Sequence, residues 1–102
     1  LWSIPVTDGT AGTAEKIVAY ATSAPDGIAI DSEGHVYVAL NTAGQIAKVD
    51  PDGNSTLLAV DMTGPASLAF GQGDFDPCSL YVTSLFTKNL YRVGAGIPGV
   101  EK

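Results

Sequence analysis

The sequence has a single cysteine, a single histidine and only five basic residues, and each scarcity narrows what it can do. Cys78 has no partner for an intrachain disulfide, and it leaves the redox compartment open. Five Lys and Arg stand against eleven Asp and Glu, a net charge of −6, with no basic cluster. That balance argues against nucleic acid and anionic membrane surfaces as partners, because both are recognised through clustered positive charge. No apolar run approaches the roughly 20 residues that cross a bilayer. Leu1-Trp2-Ser3 carries neither an initiator Met nor a basic segment leading into an apolar one. No signal peptide is read there, and a mature form or a piece of a longer chain is expected. Convincing helical periodicity is also missing. Ala14 to Ala21 fits either one helical turn or, through Ile17-Val18-Ala19-Tyr20, an outer strand.

What is present is apolar and rich in turns. Hydrophobic residues make up 45% and charged residues 16%, a globular composition rather than a disordered one. Twelve Gly and six Pro in 102 residues point to many short strands joined by turns. The length suits one domain.

The chain repeats itself. Pro25-Asp26-Gly27-Ile28-Ala29-Ile30-Asp31 matches Pro65-Ala66-Ser67-Leu68-Ala69-Phe70-Gly71, an offset of 40. Val36-Tyr37-Val38-Ala39 matches Leu80-Tyr81-Val82-Thr83, and Ile46-Ala47-Lys48-Val49 matches Leu90-Tyr91-Arg92-Val93, both at an offset of 44. Leu1-Trp2-Ser3-Ile4 is a third copy of that last element. Extra residues in Gly71 to Pro77 account for the change of offset.

Each unit reads as four strands. In the complete one these are Ile28 to Ile30, Val36 to Leu40, Gln45 to Val49 and Ser55 to Val60. Asp31-Ser32-Glu33-Gly34, Asn41 to Gly44 and Asp50-Pro51-Asp52-Gly53 make the turns, with Gly34 available for positive φ. Four strands in about forty residues is the period of a propeller blade. The predicted fold is therefore all-β, a β-propeller segment of about two four-stranded antiparallel blades. With strands a to d counted outward from the axis, the order is c-d, a-b-c-d, a-b-c, nine strands in all. Residues 1–22 end one blade, 25–60 form a full one and 65–96 most of a third. Closed propellers need four to eight blades. More blades in a longer chain, or several copies in a homo-oligomer, are expected to complete the ring.

These units, followed by Gly96-Ile97-Pro98-Gly99, resemble in order the C-terminal part of the senescence-marker protein/gluconolactonase/luciferin-regenerating family. The resemblance covers about Pro25 to Val100. It implies a six-bladed parent of roughly 300 residues. It also implies hydrolysis of a small-molecule lactone or ester, with a divalent metal, calcium or zinc, at the mouth of the central channel. In that family the metal is held by a Glu, two Asn-type positions and the Asp of a Pro-Asp-Gly motif. The Asp position is Asp26 here. The other ligands belong to earlier blades, so the chain alone is expected to be inactive.

Asp26 is thus the candidate metal ligand and the candidate general base. A carboxylate near the axis can coordinate a hard cation or take a proton. The alternative is that Asp26 initiates a turn before its strand. Asp50, Asp52, Asn54 and Asp61 mimic calcium-loop spacing, but Ser55 stands where that loop needs Gly, so a hairpin turn is expected. Asp74 and Asp76 read as a solvated acidic loop. His35 has no nucleophile-elbow motif around it and reads as an exposed turn residue. Cys78 reads as a small packed thiol. Trp2, Tyr37, Tyr81 and Tyr91 read as packing between blades. Asn54-Ser55-Thr56 matches a glycosylation sequon, a pattern that recurs by chance.

Overall fold

The computed structural model describes residues 1–101. Among them every regular element is a strand. The eleven strands are β1 (Trp2–Ser3), β2 (Val6–Thr7), β3 (Thr10–Ala11), β4 (Glu15–Lys16), β5 (Pro25–Ile30), β6 (Val36–Leu40), β7 (Gln45–Val49), β8 (Ser55–Ala59), β9 (Pro65–Phe70), β10 (Ser79–Ser84) and β11 (Leu90–Gly94). All pairings are antiparallel. One sheet has four strands in the order β5-β6-β7-β8, and another has three in the order β9-β10-β11. Two short ladders, β1-β4 and β2-β3, precede them. The chain is an all-β, partial propeller segment.

Strand alternation explains how the sheets stack. On β6 and β7, every second apolar residue turns toward the β9-β10-β11 sheet. Tyr37, Ala39 and Ile46 pack there against Leu68, Leu80 and Val82. The intervening residues Val38, Leu40, Ala47 and Val49 pack the other way, against Leu1, Ile17, Val18 and Tyr20. The middle sheet is therefore apolar on both faces, as a blade between two others must be. Tyr37 meets Phe70 edge-on, with ring centroids 5.5 Å apart, so the expected interblade role of Tyr37 is observed.

The N-terminal segment departs from its reading. Nine strands were expected and eleven are found, because Asp8-Gly9 folds Val6–Ala11 into a tight hairpin. Asp8 (φ 51°) and Gly9 (φ 77°) both lie in the left-handed region, the signature of a type I′ turn. Ile17 to Tyr20 forms neither a helical turn nor an outer strand. The strand is Glu15–Lys16, while Ile17, Val18 and Tyr20 reach into the core. Trp2 does not pack between blades. It is 58% exposed, and the Lys16 ammonium lies 5.5 Å from its ring centre.

Both a–b connections are pinned by aspartates. Asp31 Oδ1 accepts from the Glu33 and His35 amides, and Gly34 closes the turn at φ 87°. In the next sheet Asp76 Oδ1 accepts from the Cys78 amide, and Asp76 Oδ2 accepts from the Ser79 hydroxyl and Arg92 Nη2. Burial alone would raise the Asp31 carboxyl, and the Ser79 hydroxyl leads the bonds that lower that of Asp76. For both, the hydrogen bonds hold the pKa below the usual carboxylate range. Pro98 to Val100 then returns across the Asp31 end of β5. The Ser32 amide donates to Pro98 O at 2.9 Å and the Val100 amide to Ile30 O at 3.0 Å.

Candidate functional site

Asp26 sits in a bulge. Pro25 pairs with Leu40 and Ile28 with Val38, so Asp26 and Gly27 together oppose Ala39 alone. A bulge of this kind turns a side chain out of the alternation its strand would otherwise impose. Asp26 is exposed and lies within β5, not in a turn ahead of the strand. The next sheet repeats the device. Pro65 pairs with Ser84 and Leu68 with Val82, leaving Ala66 and Ser67 opposite Thr83. There the Thr83 hydroxyl accepts from the Ser67 amide at 3.3 Å and donates to Ser67 O at 3.4 Å.

The two bulges touch. A Cβ placed on Gly27 would come within 2.6 Å of Ala66 O and 2.9 Å of Ser67 Cα. Only glycine allows the inner strands to converge there, which brings Asp26 to the start of β9. The counterpart of Asp26 in that strand is Ala66, so these two inner strands offer one carboxylate between them.

A family model, the SMP-30/gluconolactonase/LRE-like region, matches residues 1–86, and these include the Pro25-Asp26-Gly27 bulge and both inner strands. The chain belongs to this family. No individual curated protein matches it.

Membership of the SMP-30/gluconolactonase/LRE-like family raises the question of a metal, and the donor set answers it. Among the described residues no three His, Cys, Asp or Glu side chains gather as ligands. Calcium takes six to eight oxygens and zinc typically four donors. One exposed carboxylate does not meet either need, so the residues present here do not fit a resident metal by themselves.

The other acidic residues are committed elsewhere. Asp50 Oδ1 accepts from the Asp52 and Asn54 amides, both at 2.9 Å, and Asp50 Oδ2 accepts from Asn54 Nδ2 at 3.1 Å. The calcium-like spacing is a hairpin turn, as expected. Asp76 anchors its loop through Ser79 and Arg92 and is half-buried, so the reading of a purely solvated loop holds for Asp74 and fails for Asp76. Cys78 is half-buried.

His35 is the clearest correction. It is half-buried, and its Nδ1 donates to Asp31 Oδ2 at 2.9 Å. The Tyr37 hydroxyl donates to the same oxygen at 2.9 Å. Burial first, and then the Asp31 carboxylate, push the Tyr37 phenol well above its usual range. This is a structural network at the end of β5 remote from Asp26. The signal for it was the order Asp31, His35, Tyr37 across one a–b turn.

Beyond Asp26 an apolar groove of about 650 Å³ follows the inner strands. Ile28, Ile30, Ala69, Phe75, Tyr81 and Leu90 are among its lining residues, and Asp26 is not. It begins two residues from Asp26, roughly 7 Å along the strand.

Proposed function

We propose that this chain is part of a lactone- or ester-hydrolysing propeller, inactive alone, and that Asp26 is its contribution to the reactive centre. The observation that carries this reading is the bulge, which presents the one inner-strand acid at the end where two inner strands converge. In lactone hydrolysis a water oxygen adds to the carbonyl carbon, the ring C–O bond breaks and the released oxygen gains a proton. Asp26 is suited to hold the proton the water gives up. Asp26 is also one candidate oxygen donor for calcium or zinc, and the other donors are not among the described residues.

A sugar lactone titrated at millimolar concentration into the 102-residue chain tests the assignment. Amide signals of Asp26, Gly27 and Ser67 are expected to shift first, and Asp26→Asn is expected to remove that effect. Shifts centred elsewhere, or unchanged by Asp26→Asn, would overturn it.

A second reading, assembly without catalysis, is favoured by the open face of β5, where Ile28 and Ile30 are 50% and 43% exposed. It requires an oligomer by light scattering, and a mass of 10.4 kDa would rule it out.

A further inference from the structure

We infer that Phe86 is a specificity-determining residue, an aromatic platform for the ring of a cyclic substrate at the Asp26 end of the sheets. The inference rests on the reading of Asp26 given above and adds the class of substrate, a lactone ring rather than an open-chain ester.

Register places the parts. Pro25 pairs with Leu40 and Pro65 with Ser84, so the starts of β5 and β9 share one end with the turns that follow β6 and β10. Phe86 belongs to the second of those turns, between β10 and β11. Its ring lies over Gly64, where an added Cβ would stand 2.5 Å from Phe86 Cδ2 and 2.9 Å from Cε2. Glycine leaves room for the ring. Gly64 comes two residues before Ala66, whose carbonyl meets Gly27, and two residues of strand span about 7 Å. Asp26 and Phe86 therefore flank the first residues of β9.

The turn holds the ring in place without burying it. The Leu85 amide donates to Gly64 O at 2.8 Å. The Ser84 hydroxyl donates to Thr63 O and accepts from the Thr87 amide at 3.2 Å and the Thr87 hydroxyl at 2.8 Å. The Asn89 amide donates to Thr87 Oγ1 at 3.3 Å. Phe86 stays 69% exposed within this frame.

The repeat supplies an internal comparison. At an offset of 44 the position of Phe86 is held by Thr42. Thr42 Oγ1 accepts from the Ala24 amide at 3.1 Å and bonds the Ser23 hydroxyl at 3.2 Å. Asn41 beside it donates Nδ2 to Pro65 O at 3.2 Å. The middle turn thus uses these two side chains to fasten the backbone. In the last sheet Ser84 and Thr87 fasten it, and Leu85 and Phe86 face solvent. A small polar residue would serve the turn equally well, so packing does not account for the exposed ring. An aromatic face beside a carboxylate suits a lactone, whose C–H face can rest on the ring while its carbonyl turns toward the acid. An open-chain ester presents no such face.

The test uses Phe86→Leu, which stays apolar and loses the aromatic face, and Phe86→Ala, which loses both. Phe75→Ala is the control, an exposed aromatic in the loop between β9 and β10, at the opposite end. A sugar lactone, and separately the methyl ester of the corresponding open-chain acid, is titrated into the 102-residue chain. The half-saturating concentration is read from the Asp26 amide signal. A second readout is the intermolecular nuclear Overhauser contact between the Phe86 ring protons and the lactone C–H protons. Both Phe86 variants are expected to raise the half-saturating lactone concentration by about two- to tenfold and to leave that of the ester unchanged. Phe75→Ala is expected to change neither, and wild type is expected to show the ring-to-lactone contact. Lactone binding equal to wild type in both Phe86 variants, with no such contact, would overturn the inference. So would an equal rise for lactone and ester, which would mark a general distortion of the turn. If Asp26→Asn leaves the lactone shifts unchanged, the reading of Asp26 fails, while the ring-to-lactone contact still decides the role of Phe86.

Discussion

Asp31→Ala is expected to lower the unfolding free energy by about 3 kcal/mol or more, out of the 5–15 kcal/mol typical of a domain. Asp31 is 1% exposed and accepts from two backbone amides, the His35 ring and the Tyr37 hydroxyl. Truncation leaves the Tyr37 hydroxyl buried without its acceptor, and an unpaired buried polar group costs about 1–3 kcal/mol. Chemical denaturation should show that Asp31→Ala combined with Tyr37→Phe is less destabilised than the sum of the two single variants, because the orphaned hydroxyl is then gone. Strict additivity would mean that the hydroxyl does not depend on Asp31.

The same network fixes the sign of a pH effect. The pKa of Asp31 is lowered in the folded chain despite burial, because hydrogen bonds favour the carboxylate. Its contribution is therefore fully present above the unfolded value, about 3.9, and is lost as pH falls through the lower folded value. The stability gap between wild type and Asp31→Asn should narrow as pH drops below about 4. A gap that stays constant down to the acid transition would contradict this.

Gly27→Ala is the second large effect. Its Cβ would stand 2.6 Å from Ala66 O and 2.9 Å from Ser67 Cα, both backbone positions in another sheet. Neither can rotate away, so the two inner strands must separate. Overpacking of this kind costs about 1–3 kcal/mol. For a chain of this length that is a fall in melting temperature of about 5–20 °C. Gly94→Ala, where an added Cβ meets nothing within 4 Å, serves as the control and should change little. Equal melting temperatures for Gly27→Ala and wild type would show that the bulges do not meet as described. Because the displaced strand carries Asp26, the variant should also disturb the lactone response at that residue.

The strands and turns of the middle and last sheets were legible because their causes are local. Val36 to Leu40 and Gln45 to Val49 are strands in sequence and in structure, since β-branched and apolar residues bounded by turn residues leave few alternatives. The Asp50 turn was legible for the same reason, as its bonds join residues two and four apart. The Asp8-Gly9 hairpin carries an equally local signal, but it lies outside the four-strand repeat.

Asp26 itself shows where local information ends. The sequence placed it at the start of an inner strand and, through the order of the repeats, in its family. Whether it would turn outward was decided by pairing, since a bulge exists only against a partner strand. Why Gly27 must be glycine depends on a strand 40 residues later, and the reach of Asn41 to Pro65 spans 24 residues and two sheets. The burial of Asp31 depends likewise on the return of Pro98 to Val100 across it. The sequence by itself determined an all-β repeat, its turns and its one inner-strand acid, because these follow from side-chain type and spacing along the chain. Only the tertiary structure decided how the blades touch and which polar groups are sealed between them, because those distances are set by packing between sheets.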